Sequence, residues 1–500
     1  MIAEARKRPS LTSGATIMTA SRFVAVGLSY LLNVFLARHL SVPAFGLLGV
    51  VITVLMWLEL VVAEGLPLWI VRVVDPDAKG PIVRGRYVAA QLGVAFLLAG
   101  ALALAAPLLA TVFAQTGTLA PFRLAAIDIP IFALYNLALA ALLGSQSYTF
   151  EGLSTGGYAL TKLVATVAFV LAGMSVIGAV LGSVSASVGG LAITLVLVAV
   201  RFRGRRWFGD APVVPRASDG DGVPLPSLPD GGAVAGATVP ATLIVSQTLA
   251  LSLDLWMVKA LLPAAQAGYY RGASLIAQVP FALSSGLVWG LFAAYSDARR
   301  RGDVERQRHY VSQSVRLLVA AASLWVALVV PTARALLITI GFPAAYGAGA
   351  PVLMLLTTGT AIGMVAVAVG PTLLLEGRGR AVLGTAIGLV AAEAVAAYLL
   401  IPRMGAKGAA LAAGGAFAIA GVAALIALRE RLAFPLASTL LRLVAPAAVV
   451  GLAAAALRPA AGPALIGWYV VASALYAGLL FVTRGLTRRD IESIREGFER

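Results

Sequence analysis

A few ionisable side chains sit inside long apolar stretches of this 500-residue chain, and they are the groups that could do chemistry: Arg22, Glu59, Glu64, Lys162, Asp254, Arg271 and Glu393. A charge carried into hydrocarbon costs about 2.5–3.5 kcal/mol on insertion scales, so each must pair, reach water or bind something. Counting the helical rise from the ends of the stretches puts Arg22 at a depth similar to Glu64, and Lys162 at a depth similar to Glu59. Two readings of Arg22 follow. It forms a salt pair with Glu64 or snorkels to the surface, or it faces a cavity and holds an anionic group of a substrate. Lys162 and Arg271 have the same choice, with Glu59 the natural partner of Lys162 and an interfacial anchor the plain role for Arg271. Asp254 and Glu393 have no basic neighbour at their depth. They either hydrogen-bond polar neighbours or take part in coupling to a cation, Na⁺ or H⁺. Asp128, Asn33, Asn136, Gln247 and Gln278 read as interhelical hydrogen-bonding groups.

Other chemistry is excluded by composition. Cysteine is absent, so there are neither disulfides nor thiolate metal sites. The two histidines, His39 and His309, fall in different loops, which leaves no metal centre, no His-based catalytic centre and no expected cofactor.

The elements that position these charges are membrane helices. The chain is 60% hydrophobic and 12% charged, with a mean hydropathy of +0.93, whereas soluble domains carry about 25% charged residues. Apolar runs of about 20 residues recur throughout, each long enough to cross a hydrocarbon core of roughly 30 Å. They fall at about 15–38, 45–70, 88–113, 121–144, 153–174, 176–200, 237–260, 271–296, 312–333, 351–374, 383–401, 407–428, 441–457 and 463–483. Because the runs are apolar on every face, barrel strands are excluded. The expected fold class is an all-α membrane protein of about 14 transmembrane helices. Residues 1–14 are polar and the first run is too long for a cleavable leader, so helix one is expected to stay.

The net charge of +16 reports topology rather than nucleic-acid binding. With the N-terminus placed in the cytoplasm, 28 of the 38 Lys and Arg fall on the inner side and eight on the outer, so both termini are expected inside. Attraction to the anionic inner leaflet explains basic runs such as Arg299-Arg300-Arg301. Outer loops are short, the longest at about 334–350, which leaves no room for the external acceptor domain of a membrane-embedded glycan polymerase or ligase.

A repeat organises the runs. "GATIMTA" from Gly14 matches "GATVPAT" from Gly236, and the same offset aligns Lys79-Gly80, Arg84, Arg86 and Gln91 with Arg301-Gly302, Arg306, Arg308 and Gln313. Further on, Glu151-Gly152 pairs with Glu376-Gly377, and "MSVIGAVL" from Met174 with "MGAKGAAL" from Met404. Six runs separate the copies, an even number, so the repeats are parallel and related by an axis along the membrane normal. The expected domains are an N-terminal six-helix lobe at 1–208, a Pro- and Gly-rich cytoplasmic linker at 209–236, a C-terminal six-helix lobe at 237–430, and two extra helices with a cytoplasmic tail at 431–500.

Three segments carry a resemblance: "NVFLARHLSVPAFGLLGVV" at the first loop, "LLLEGRGRAV" after the tenth run, and "LLIPRMGAKGAALAAGGAF" between the eleventh and twelfth. With them the chain resembles the polysaccharide flippases of the multidrug/oligosaccharidyl-lipid/polysaccharide exporter superfamily. The resemblance implies a transporter in the bacterial cytoplasmic membrane that turns a lipid-linked oligosaccharide, usually on undecaprenyl pyrophosphate, to the outer leaflet by alternating access. It also implies a cavity lined by spans one, two, seven and eight with basic residues in it, which favours Arg22 as a substrate-binding group. Membrane lipids and other polysaccharide-assembly proteins are the implied partners. The alternative within the superfamily is a cation-coupled multidrug antiporter, whose substrate should meet carboxylates rather than arginines.

Overall fold

The computed structural model describes residues 11–63, 83–113, 119–203, 208–209, 232–281, 298–299, 301–375 and 379–485, with Pro67 and Tyr295. Fourteen α-helices of 14 residues or more lie among them: α1 Leu11–His39, α2 Val42–Ala63, α3 Gly85–Val112, α4 Leu119–Gly144, α5 Tyr148–Phe169, α6 Ser175–Arg201, α7 Gly232–Leu261, α8 Ala264–Ala277, α9 Val304–Ile340, α10 Ala350–Leu375, α11 Gly379–Met404, α12 Ala406–Leu428, α13 Leu436–Leu457 and α14 Pro463–Val482. Among the described residues ten segments are long and apolar enough to cross a membrane, and one of them, Tyr148–Arg201, holds both α5 and α6. The chain is a multi-pass, all-helical membrane protein. Strand structure among the described residues is confined to a two-residue parallel bridge, Val83–Arg84 with Phe208–Gly209. The chain divides into two compact units, Met1–Ala241 and Thr242–Arg500.

In the first unit α5 and α6 form an antiparallel hairpin. The reversal is made by a π-turn at Val170–Met174 in which Gly173 takes φ 86°, followed by Ser175 at φ 47°. Small residues let the two backbones close up: a side chain at Gly157 would strike Ile193, at Gly182 Thr166, and at Gly189 Thr161. Ser154 and Thr194 hydroxyls meet across the seam at 2.5 Å. α6 also packs on α4, where Gly190 leaves room for Tyr135 and Tyr158. α1 lies along α5, and α2 against α4. Gln91 on α3 donates to the Val62 carbonyl of α2 at 2.8 Å, satisfying a buried amide inside the unit.

The second unit opens with a tight α7–α8 turn at Leu262-Pro263. α9 is 37 residues long, about 55 Å at 1.5 Å per residue, which exceeds the hydrocarbon thickness. Its polar start "VERQRHY" accounts for the excess, capped by Asp303, which accepts from the Arg306 amide at 3.0 Å. At the other end α9 runs to Ile340 and stops at Gly341, φ 110°. This corrects the expected outer loop of about 334–350: helix continues through Arg334 to Ile340, and Ala344–Gly349 is a 3-10 turn. The apolar window missed it because Arg334 ends the hydrophobic run without ending the helix.

α10 and α12 run parallel with backbones in contact, since a side chain at Gly359 would strike the Gly414 backbone and one at Gly421 the Ile362 carbonyl. α11 and α12 are joined by Gly405 at φ 62°. The last two helices pack on α9. Buried Leu443, Val450 and Ala472 fill the contact, and lipid tails could replace much of that packing. Polar ties therefore matter more for holding the pair in place. Tyr476 donates to the Ala320 and Leu443 carbonyls at 3.0 and 3.1 Å, Thr332 meets the Tyr469 hydroxyl at 2.8 Å, and Arg316 holds the Gly485 carbonyl at 2.6 Å.

Several sequence expectations lie outside the described residues. Glu64 and residues 210–231 of the expected linker are among these, while α7 already begins at Gly232, inside the expected linker end.

Candidate functional site

Each unit buries its own carboxyl cluster. In the first, Glu59 on α2 faces Asp128 on α4, and the Lys162 charge on α5 acts on both. Asp128 is wholly buried. Its two carboxyl oxygens, Glu59 Oε1 and the buried Ser187 hydroxyl of α6 have no hydrogen-bond partner among the described residues, although Ser187 faces Asp128. Tyr158 completes the group. Its ring stacks on Tyr135 at 5.1 Å between centroids, and Lys162 Nζ lies 5.9 Å from its centre. The depth match of Lys162 and Glu59 was legible in the sequence. Asp128 as their third member was not, because α4 and α6 reach the pair only through helix packing.

In the second unit Asp254 on α7 accepts from the Tyr270 hydroxyl of α8 at 2.6 Å and from the Leu255 amide at 2.7 Å. Glu393 on α11 is wholly buried. Both of its oxygens lack hydrogen-bond partners among the described residues; its charge is felt by Tyr270, and it feels the charge of Asp254. Around Asp254 a small cavity is lined by Leu251, Ser274, Gln278, Thr360 and Phe417. The cavity walls are tied by Gln278 donating to the Leu251 carbonyl at 3.0 Å and Thr360 to the Ala277 carbonyl at 3.1 Å. The expectation that Asp254 lacks a basic neighbour is corrected, since the Arg271 charge on α8 reaches it. Tyr270 was missed, yet a signal existed: Asp254 and Tyr270 each stand eight residues from Leu262, so a tight hairpin brings them level.

The remaining candidates sort by helix. Arg22 lies in α1, its side chain outside the described residues. Arg271 sits on α8, half-buried and engaged. Among the described residues, Asn33 and Asn136 do not bridge helices as expected. Each donates to a carbonyl one turn back in its own helix, Ser29 at 2.8 Å and Phe132 at 3.0 Å. No group of three or more His, Cys, Asp or Glu able to hold a metal ion occurs among the described residues.

The family model described as polysaccharide biosynthesis protein matches residues 11–218, the N-terminal lobe. Among solved structures, the lipid II flippase MurJ in an inward closed conformation has 13% identity and a TM-score of 0.69, with 95% of this chain and 99% of that chain covered. An inward-facing multidrug resistance MATE family transporter of the MOP superfamily has 14% identity and a TM-score of 0.63, covering 81% and 94%. A MOP superfamily transporter from Pyrococcus furiosus, described as having a binding pocket of reverse polarity, has 14% identity and a TM-score of 0.57, covering 85% and 97%. No curated protein matches. The fold of the chain is the one these flippases and transporters share, and the resemblance seen in the sequence stands at that level.

Proposed function

We propose that the chain is a flippase that carries a lipid-linked oligosaccharide, with undecaprenyl pyrophosphate as the lipid carrier, across the bacterial cytoplasmic membrane. The observation that carries this reading is the extent of the likeness. The lipid II flippase is matched over 95% of this chain, whereas the similar multidrug and MOP transporters are matched over 81–88%. A fold that includes the α13–α14 pair favours the lipid-linked cargo over the small cation of an antiporter. The family match over the N-terminal lobe points the same way.

In this reading the two lobes alternate access, no bond is made or broken, and both termini lie in the cytoplasm. Arg22 holds the pyrophosphate, since a guanidinium fork binds phosphate oxygens bidentately. Asp254 and Glu393 form the ion-coupling element with Tyr270. Asp254 lines a small cavity and its charge acts on the buried Glu393, so an arriving Na⁺ or H⁺ would relieve their repulsion.

The test is flipping of a fluorescently tagged lipid-linked oligosaccharide in proteoliposomes, normalised to folded protein. Arg22→Ala abolishes flipping, Arg22→Lys keeps part of it, and adding Glu64→Gln to Arg22→Ala gives no rescue. Full activity of the double variant would make Arg22 the partner of Glu64 and remove it from the site. Export of a cationic dye by the wild-type protein, with no flipping, would replace the flippase by the antiporter.

A further inference from the structure

The first unit holds a charge cluster that the proposed transport site does not use. Two carboxyls, Glu59 and Asp128, face one another across α2 and α4, and a single ammonium, Lys162, acts on both. With all three groups ionised the cluster carries one net negative charge in the interior of a helix bundle. Such a charge is costly unless something positive joins it. Neither carboxylate can donate a hydrogen bond to the other, and both Asp128 oxygens and Glu59 Oε1 are buried without a partner among the described residues. A second, independent sign is Ser187. Its hydroxyl is fully buried, faces Asp128, and likewise has no partner there.

Among the described residues the titratable groups around the pair are few. α2 contributes Glu59, α4 Asp128 and Tyr135, and α5 Lys162 and Tyr158. α6 contributes only the Ser187 hydroxyl, while Glu151 reaches Tyr135 but is not among the groups acting on the pair. Tyr158 stacks on Tyr135 and carries Lys162 over its ring. The ring thus fixes the Lys162 side of the cluster.

We propose that Glu59, Asp128 and Lys162 form a proton-binding site inside the N-terminal lobe, in which the two carboxyls share one proton and Lys162 balances the remaining charge. The ligand is a proton rather than an alkali cation. An ammonium already stands at the pair, and the proton supplies the donor that two facing carboxyls lack. Sharing a proton draws α2 and α4 together at Glu59 and Asp128. Losing it leaves two like charges facing one another, so the packing of α2 on α4 responds to proton uptake. Lys162 is thereby a counter-ion within the lobe and not a ligand of the substrate. The inference is independent of which substrate the protein carries.

Infrared difference spectroscopy of the purified full-length protein in lipid nanodiscs tests this directly. The probe is the carbonyl stretch of a protonated carboxylic acid, recorded against pH and checked by its shift in heavy water. The wild-type protein shows one such band that Glu59→Gln and Asp128→Asn each remove while helicity by circular dichroism is kept. Lys162→Met about doubles it, because both carboxyls then need a proton. If Asp128→Asn fails to fold, Glu59→Gln alone decides. A band unchanged in Glu59→Gln places the proton elsewhere, in the Asp254 and Glu393 cluster, and overturns the proposal. Loss of the band on adding sodium or potassium at constant pH overturns it as well, since the site would then hold an alkali cation.

Discussion

Replacing Tyr270 by Phe isolates one bond in the C-terminal cluster. The ring of Tyr270 is fully buried and would stay in place, so the loss is confined to the hydroxyl that donates to Asp254 at 2.6 Å. Asp254 keeps its bond from the Leu255 amide at 2.7 Å on the other oxygen. Interhelical hydrogen bonds in membranes average about 0.6 kcal/mol and reach about 1.7 kcal/mol at most. Bonds to ionised groups are worth about 1.5–3 kcal/mol in general. The two ranges overlap near 1.5 kcal/mol, which is about a tenfold change in an equilibrium constant. Tyr270→Phe is therefore expected to destabilise the second unit by about 1.5 kcal/mol. The assay is reversible unfolding in mixed micelles, run as a double-mutant cycle with Asp254→Leu, which removes the acceptor. The cycle should return most of that energy as coupling between the two residues. A coupling below about 0.3 kcal/mol would refute the reasoning, because Arg271 rather than Tyr270 would then be what holds Asp254.

Two further outcomes test the fold and its orientation. Gly359→Ala drives a methyl group into the Gly414 backbone and should cost about 1–3 kcal/mol by overpacking, while Gly388→Ala, with nothing within 4 Å, should be neutral or stabilising by up to about 1 kcal/mol. Thermal melts of the two variants side by side check this, and equal melting would deny the close α10–α12 approach. Ser218→Cys, in a chain with no native cysteine, should resist an impermeant maleimide in intact spheroplasts and react after permeabilisation. Labelling of intact cells would invert the proposed orientation.

Composition alone determined that this is a helical membrane protein. A run of about 20 apolar residues must hydrogen-bond its own backbone in lipid, and only a helix or a closed barrel does that. Helix ends were legible wherever charge or glycine stops both the apolar run and the helix, as at Met404-Gly405. They were not legible in α9, where Arg334 stops the first and not the second. Depth along the sequence also put Lys162 level with Glu59, since a helix advances by a fixed rise per residue. Tertiary structure alone decided which face of each helix meets which neighbour, because residues apolar all round give no moment to orient by. Asp128 and Ser187 therefore join Glu59 only through the packing of α4 and α6, which glycines such as Gly190 allow. The same holds in the second unit. Glu393 and the Asp254–Tyr270 pair act on one another electrostatically across more than a hundred residues of chain, a proximity that hydropathy and spacing along the sequence cannot specify.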